Sequence, residues 1–222
     1  MTIAAEDTIA NRISRVLADR IITGVLEPGS KLRQDHIAEE FGASHVPVRE
    51  AFRRLEAQGL AVSEARRGVR VASFSLAEVL EVARMRSVLE ALALRHAAPH
   101  LTPFILDKAD AAMVVGDNAT DIRSWDESNR LFHRLLLAPC EMPRLLAAIN
   151  DLHLVGSQFL FTTWRSGWEP RVDADHHAIL DYLRKGKVDQ AIVVLERHVQ
   201  RIGHKPVQYA SGATRAAFAI EG

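Results

Sequence analysis

Residues 42–60 read GASHVPVREAFRRLEAQGL: a glycine, a short polar link, then a proline at the head of a segment rich in arginine. Proline is tolerated in the first turn of a helix, where its missing N–H has no intrahelical acceptor. Pro47 therefore marks a beginning, and the pattern predicts a helix from near Val46 to Gly59. Ser44 is placed to cap it, its hydroxyl meeting an unsatisfied amide of the first turn. Val48, Ala51, Phe52 and Leu55 form an apolar stripe, while Arg49, Arg53 and Arg54 lie off it.

The flanks give this helix a context. Ile9, Ile13, Val16, Leu17 and Ile21 recur at helical spacing, with Asp7 or Thr8 as cap and Gly24 as stop. After the turn dipeptide Pro28-Gly29, the residues Ile37, Ala38 and Phe41 mark a short second helix ended by Gly42. Beyond Gly59, LAVSEARRGVRVASF alternates around Arg66, Arg67 and Gly68 and reads as a β-hairpin with a basic tip. Three short helices and a hairpin make a winged helix-turn-helix, whose third helix enters the DNA major groove. Arginine suits that task because its planar fork binds guanine edges bidentately or clamps phosphate. The plain alternative is a solvated helix face with ordinary ion pairs.

Composition limits the rest. The chain has 222 residues, 48% of them hydrophobic, enough for two modest domains. A single cysteine, Cys140, excludes an intrachain disulfide, and no apolar run approaches the roughly 20 residues that span a bilayer. A cytoplasmic protein without a membrane partner is expected. The formal net charge is zero, yet residues 41–72 hold Arg49, Arg53, Arg54, Arg66, Arg67 and Arg70 against Glu50, Glu56 and Glu64. Positive charge is concentrated where the opening motif lies.

From Ser75 the pattern is helix after helix, with candidates at 76–98, 103–116, 121–138, 143–165, 171–185 and 188–203 separated by prolines and glycines. The expected fold is mainly α: a winged helix-turn-helix over 1–74, an antiparallel bundle of about six helices over 75–205, and a loosely held tail over 206–222.

GVLEPGSKL, VPVREAFRRLEAQGL and RRGVRV, followed by RSVLEALALRHAA, NRLFHRLL and DHHAILDYLRKGKVDQAIVVLERHV, occur in an order and spacing that resemble the FadR subfamily of GntR transcription regulators. The helix count is similar to the VanR-type branch. The resemblance covers residues 8 to about 203. It implies operator DNA as partner of the first domain, and in the second a small effector, often an organic acid, often beside a metal. Two departures bear on the bases read. Relatives carry Ser-Arg-Thr-Pro-Val-Arg where this chain has Ser44, His45, Val46, Pro47, Val48 and Arg49, and Asp35 stands where an arginine is common. The DNA set is thus Ser44, His45, Arg49, Arg53, Arg54, Arg66, Arg67 and Gly68.

Ten histidines are present. His36, His96, His100, His153 and His204 read as solvated or packed single residues. Three others differ. Asn129 and His133 are four apart on one helix face, and His176 and His198 lie ten residues before and twelve after Gly186. In an antiparallel hairpin with a rise of about 1.5 Å per residue, the last two sit at nearly the same height. One bundle interior could hold all three imidazoles, which suits zinc, nickel or another divalent transition ion. The resemblance points to the same positions and makes Asn129 the first ligand, where an aspartate is usual. It also makes Arg86 of the Arg86–Glu90 pair a clamp for an effector carboxylate. The alternative is a metal-free polar pocket that hydrogen-bonds an anion. His177 is the decoy of the adjacent pair.

The function expected is a ligand-responsive regulator that binds operator DNA as a homodimer and is no enzyme. The alternative is a metal-dependent hydrolase with a DNA-binding-like accessory domain, but no HExxH helix or second carboxylate is evident. Asp173 and Asp175 are read as helix N-terminal capping residues.

Overall fold

The computed structural model describes residues 8–164 and 168–201, together with 206–207 and 217–218, and is mainly α. It divides into two compact units, Met1–Phe74 with Ser157–Thr162, and Ser75–Gly156 with Thr163–Gly222.

In the first unit α1 spans Ile9–Ile22, capped by Thr8, whose hydroxyl accepts from Asn11 N at 3.2 Å. α2 (Gln34–Phe41) ends at Gly42, left-handed at φ 58°, a conformation costly to any residue with a Cβ. α3 (His45–Ala57) starts one residue before the predicted Val46. Ser44 occupies its N-cap position but makes no side-chain cap bond. The reason lies in the sequence: Pro47 is the third helical residue, so the amide such a hydroxyl usually takes is missing. Ile13, Leu17, Ile21, Val48 and Leu55 are fully buried and join α1 to α3.

β1 (Ala61–Glu64) and β2 (Gly68–Val71) pair antiparallel with Glu64 opposite Gly68. Gly68, expected at the tip, opens the second strand. The tip is Ala65, Arg66 and Arg67, with Arg66 at φ 65° and Arg67 N–H donating to Glu64 O at 3.0 Å. A bridge from Lys31 to Arg70 adds a third edge to this small antiparallel sheet.

The second unit holds five described α-helices whole and most of a sixth, α7, whose Ser157–Thr162 belongs to the first unit. α4 (Leu76–Ala97) opens on a full capping box between Ser75 and Glu78. α5 (Pro103–Asp117) is capped by Thr102, and α6 (Ile122–Leu137) by Asp121. α7 (Pro143–Trp164) is followed by α8 (Ala174–Arg184) and α9 (Val188–Gln200). α8 begins three residues later than the spacing predicts because Asp173 caps it, accepting from Asp175 N and His176 N. Phe132, Leu136, Ile179, Leu180 and Leu195 form the centre of the bundle core. The tail expected over 206–222 lies outside the described residues apart from a paired Pro206–Val207 and Ala217–Phe218, and His204 lies outside them too.

Candidate functional site

On α3, Arg49 and Arg53 are exposed, and among the described residues neither has a hydrogen bond or ion pair. Arg54 is different: its Nε donates to Glu50 Oε1 at 3.1 Å across one helical turn. That ion pair removes Arg54 from the free cations of the face. Ser44 and His45 are exposed at the helix start. His45 O accepts from Gln34 Nε2 at 3.2 Å, and its Nε2 lies 3.6 Å from Asp35 Oδ1, so the α2–α3 turn is tied from both sides. At the wing, Arg66 and Arg67 are exposed, whereas Arg70 is drawn back to Gly29 O at 2.8 Å and to Glu64 at 3.4 Å. Arg49 and Arg53 on α3 and Arg66 at the hairpin tip are unpaired among the described residues, while the exposed Arg67 keeps a 3.7 Å contact to Glu64 Oε2. Exposed arginines on both elements fit a groove-reading helix with a phosphate-touching wing.

The second site lies in the bundle. α6, α8 and α9 bring His133, His176 and His198 together. His198 Nε2 stands 3.3 Å from His133 Nε2 and 3.1 Å from His176 Nε2. Three nitrogens tetrahedrally placed at about 2.0–2.1 Å from one ion would be about 3.3 Å apart. The two separations made by His198 already have that spacing, and all three ligand atoms lie within 4.8 Å of one another. Phe132 stacks on His176 with ring centroids 4.1 Å apart and fixes its plane.

Each imidazole has a defined electrical setting. Burial lowers the His133 and His176 pKa values, the latter well below the ordinary one. Burial would lower His198 as well, but the Asp173 and Asp175 carboxylates outweigh it and raise that group. Those carboxylates lie at His198 Nδ1, with Asp173 Oδ2 at 3.7 Å and Asp175 Oδ2 at 3.8 Å, while its Nε2 is the nitrogen turned to His133 and His176.

Beneath His133 is a buried charge network of which the sequence marked only the Arg86–Glu90 pair, an i,i+4 ion pair in its plainer reading, and not the links to His133 and His153. Glu90 Oε2 is 2.7 Å from His133 Nδ1, and Glu90 Oε1 accepts from Arg86 Nε at 2.8 Å. His153 Nε2 lies 3.1 Å from both Glu90 Oε1 and Arg86 Nη2. Burial would raise the Glu90 carboxyl, but Arg86, His133 and His153 hold it well below the carboxylate range. An ionised Glu90 can only accept, so His133 Nδ1 carries the proton and its Nε2 lone pair faces the cluster.

Two expectations need correction. Arg86 faces the interior, but its guanidinium is engaged by Glu90 and His153, so it is the counter-ion of Glu90 and no open clamp. His153, read as a single packed residue, belongs to this network. The signal available was Arg86 and Glu90 at i,i+4; nothing local to His153 marked it. His177 is exposed and turns to Asp117 at 2.7 Å. Asn129 lines a small void with Asp173 and His176, and its buried Oδ1 has no partner among the described residues. An orphan amide oxygen in a void shared with His176 fits a cation.

A cavity of about 570 Å³ opens between α6 and α7. Arg130, Arg134, Leu146, Asn150, His133 and His153 are among its walls. It has the size and mixed lining of a small-ligand site.

Residues 9–71 match the gntR family of bacterial regulatory proteins, and residues 81–201 match the FCD domain. The chain belongs to the GntR family and carries an FCD domain. A probable D-xylose utilization operon transcriptional repressor of Paenarthrobacter nicotinovorans is 32% identical over 197 residues, covering 86% of each chain. The transcriptional repressor RspR of Escherichia coli is 27% identical over 198 residues, 87% of each. Among solved structures, a GntR family member from Pseudomonas syringae is 30% identical with a TM-score of 0.53, covering 88% of this chain and 83% of the other. McbR/YncC of E. coli shares the fold at a TM-score of 0.75 and 23% identity, covering 87% of this chain and 94% of that one. This GntR chain is a transcription regulator with relatives that are regulators and not enzymes. No helix among its described residues is long and apolar enough to cross a membrane.

Proposed function

We propose that this GntR chain is a cytoplasmic, effector-responsive regulator that binds an inverted-repeat operator as a homodimer. In this reading the bundle holds a divalent transition ion, zinc or nickel, on His133, His176 and His198, with Asn129 Oδ1 beside them. The observation that carries it is the convergence of three Nε2 atoms at 3.1 and 3.3 Å. The ion would supply a Lewis-acidic anchor for one carboxylate of a small organic acid lying in the neighbouring cavity. Arg134, exposed on its wall, takes the clamp role that the resemblance implies for Arg86 and meets the acid's other end.

Arg49 and Arg53 read base edges, Ser44 and His45 face the backbone at the helix start, and Arg66 and Arg67 touch phosphates. One recognition helix contacts too few bases for genomic selectivity, so two copies act together. Met85, Val88 and Leu92 recur at i, i+3, i+7 on α4 and are exposed; a second copy covers that stripe. The similarity to repressors favours repression. By linkage, an acid that weakens operator binding must itself bind the DNA complex less tightly, with couplings of about 1–3 kcal/mol being usual.

The test is calorimetric titration of C3 to C6 hydroxy- and dicarboxylic acids into zinc-loaded protein, with and without operator. Binding that weakens with operator present, and is lost in Arg134→Ala, supports the reading. Acids that bind equally with and without operator contradict it.

A further inference from the structure

A cation at the three imidazoles would sit in a low-dielectric interior, and its charge needs an anion. Imidazoles and the Asn129 amide are neutral donors, and Glu90 reaches the cluster only through His133 while neutralised by Arg86. Burying a dication without a compensating anion is costly.

A carboxylate stands ready on the other side. Asp173 Oδ1 accepts from Asp175 N at 3.0 Å and His176 N at 3.2 Å. That fixes the group as the cap of α8 and aims its second oxygen inward. Oδ2 lies 3.9 Å from His176 Nε2, a nitrogen of the cluster, and 3.7 Å from His198 Nδ1, the ring nitrogen opposite the one that faces the cluster. The backbone is pinned as well, since Asp173 N donates to Asp117 Oδ1 at 2.9 Å. Asp173 also lines the void that contains the orphan Asn129 oxygen and His176. Asp175, by contrast, is held by Arg197 at 2.6 Å and Arg201 at 2.7 Å, which neutralise it.

We infer that Asp173 is the acidic ligand of this site: the carboxylate that Asn129 does not supply on α6 comes instead from the N-cap of α8. One side chain then does two jobs, with Oδ1 capping the helix and Oδ2 on the ion. Metal binding is coupled to the start of α8, and the site keeps an anionic ligand while Asn129 contributes a neutral oxygen or a hydrogen bond to a bound acid.

This inference rests on the metal reading above, and the experiment separates the two. Zinc affinity is measured by competition with a chromophoric chelator on untagged full-length protein, and the cobalt form is followed by its visible absorption. The variants are Asp173→Asn, Asp173→Ser, Asn129→Asp combined with Asp173→Asn, and His198→Ala. Asn and Ser both keep an N-cap acceptor, so α8 stays capped while the charge is removed. Asp173→Asn and Asp173→Ser are expected to weaken zinc at least about tenfold and to change the cobalt spectrum. Returning the carboxylate to α6 in the double variant restores most of the affinity. If wild type binds zinc, His198→Ala loses it, and both Asp173 variants match wild type, Asp173 is no ligand and the metal reading stands. If wild type binds neither zinc nor cobalt, the metal reading falls and takes this inference with it.

Discussion

Glu90 Oε2 lies 2.7 Å from His133 Nδ1, and neither side chain is open to solvent. This bond sets which nitrogen of His133 carries the proton and so which one faces His176 and His198. Glu90→Gln keeps the shape but removes the charge, leaving Arg86 buried without its counter-ion. Stability should fall by about 3–5 kcal/mol, and zinc affinity by about 10–100-fold. Urea unfolding and chelator competition check both; an unchanged zinc affinity would mean that Glu90 does not orient the ligand.

At the DNA face, Arg49→Ala should weaken operator binding by about 1–3 kcal/mol at matched salt and leave the dimer intact. Removing Arg66 and Arg67 together should lower affinity for all sequences alike and flatten the salt dependence by about 1–2 in slope. Fluorescence anisotropy over a salt series distinguishes these two behaviours. A normal Arg49→Ala affinity would assign base reading to another element.

Acid should destabilise the bundle. His153 is pushed down to about 3 by burial and by Arg86, and burial also lowers His133 and His176. Unfolded imidazoles protonate near pH 6.5. Below that pH the unfolded chain takes up protons the folded chain refuses. Each such histidine then costs about 1.4 kcal/mol per pH unit until its folded pKa is reached. His198, raised above the ordinary value, opposes the trend with one imidazole against three. Metal-free protein should therefore lose stability as pH falls below about 6.5, and His153→Gln should flatten that loss. Urea titrations across this range measure it, and a flat profile would contradict the buried neutral state.

Much of this was legible in the chain. Pro47, Gly42 and Gly59 bracket α3 because each acts locally through backbone geometry, and the helical periods of α4 to α9 survive without knowledge of their partners. The convergence of His176 and His198 followed from their distances to one turn at Gly186. What was not legible is what depends on contacts distant in sequence. His153 lies in α7, which is buried on several sides at Leu154, Val155, Ser157 and Gln158, so no stripe singles it out, and its partner Glu90 is far away in the chain. Asp173 was readable as a cap; that its second oxygen faces two imidazoles depends on how α9 packs beside α8. The missing Ser44 cap bond was implicit in Pro47, which has no N–H to give.

The α4 stripe should join two copies. Val88→Glu places a charge at the middle of Met85, Val88 and Leu92 and should shift sedimentation velocity from dimer to monomer and reduce operator affinity more than tenfold by removing one half-site. A Val88→Glu protein that stays dimeric puts the interface elsewhere.

If His133, His176 and His198 form one cation site, bound metal should follow these three side chains stoichiometrically. Untagged protein is dialysed to equilibrium against micromolar zinc or nickel and its metal content measured per chain, beside His133→Ala combined with His198→Ala. One ion per wild-type chain is expected, and none above buffer in the double variant with its DNA affinity preserved. Equal metal in the two proteins, or none in either, would contradict it.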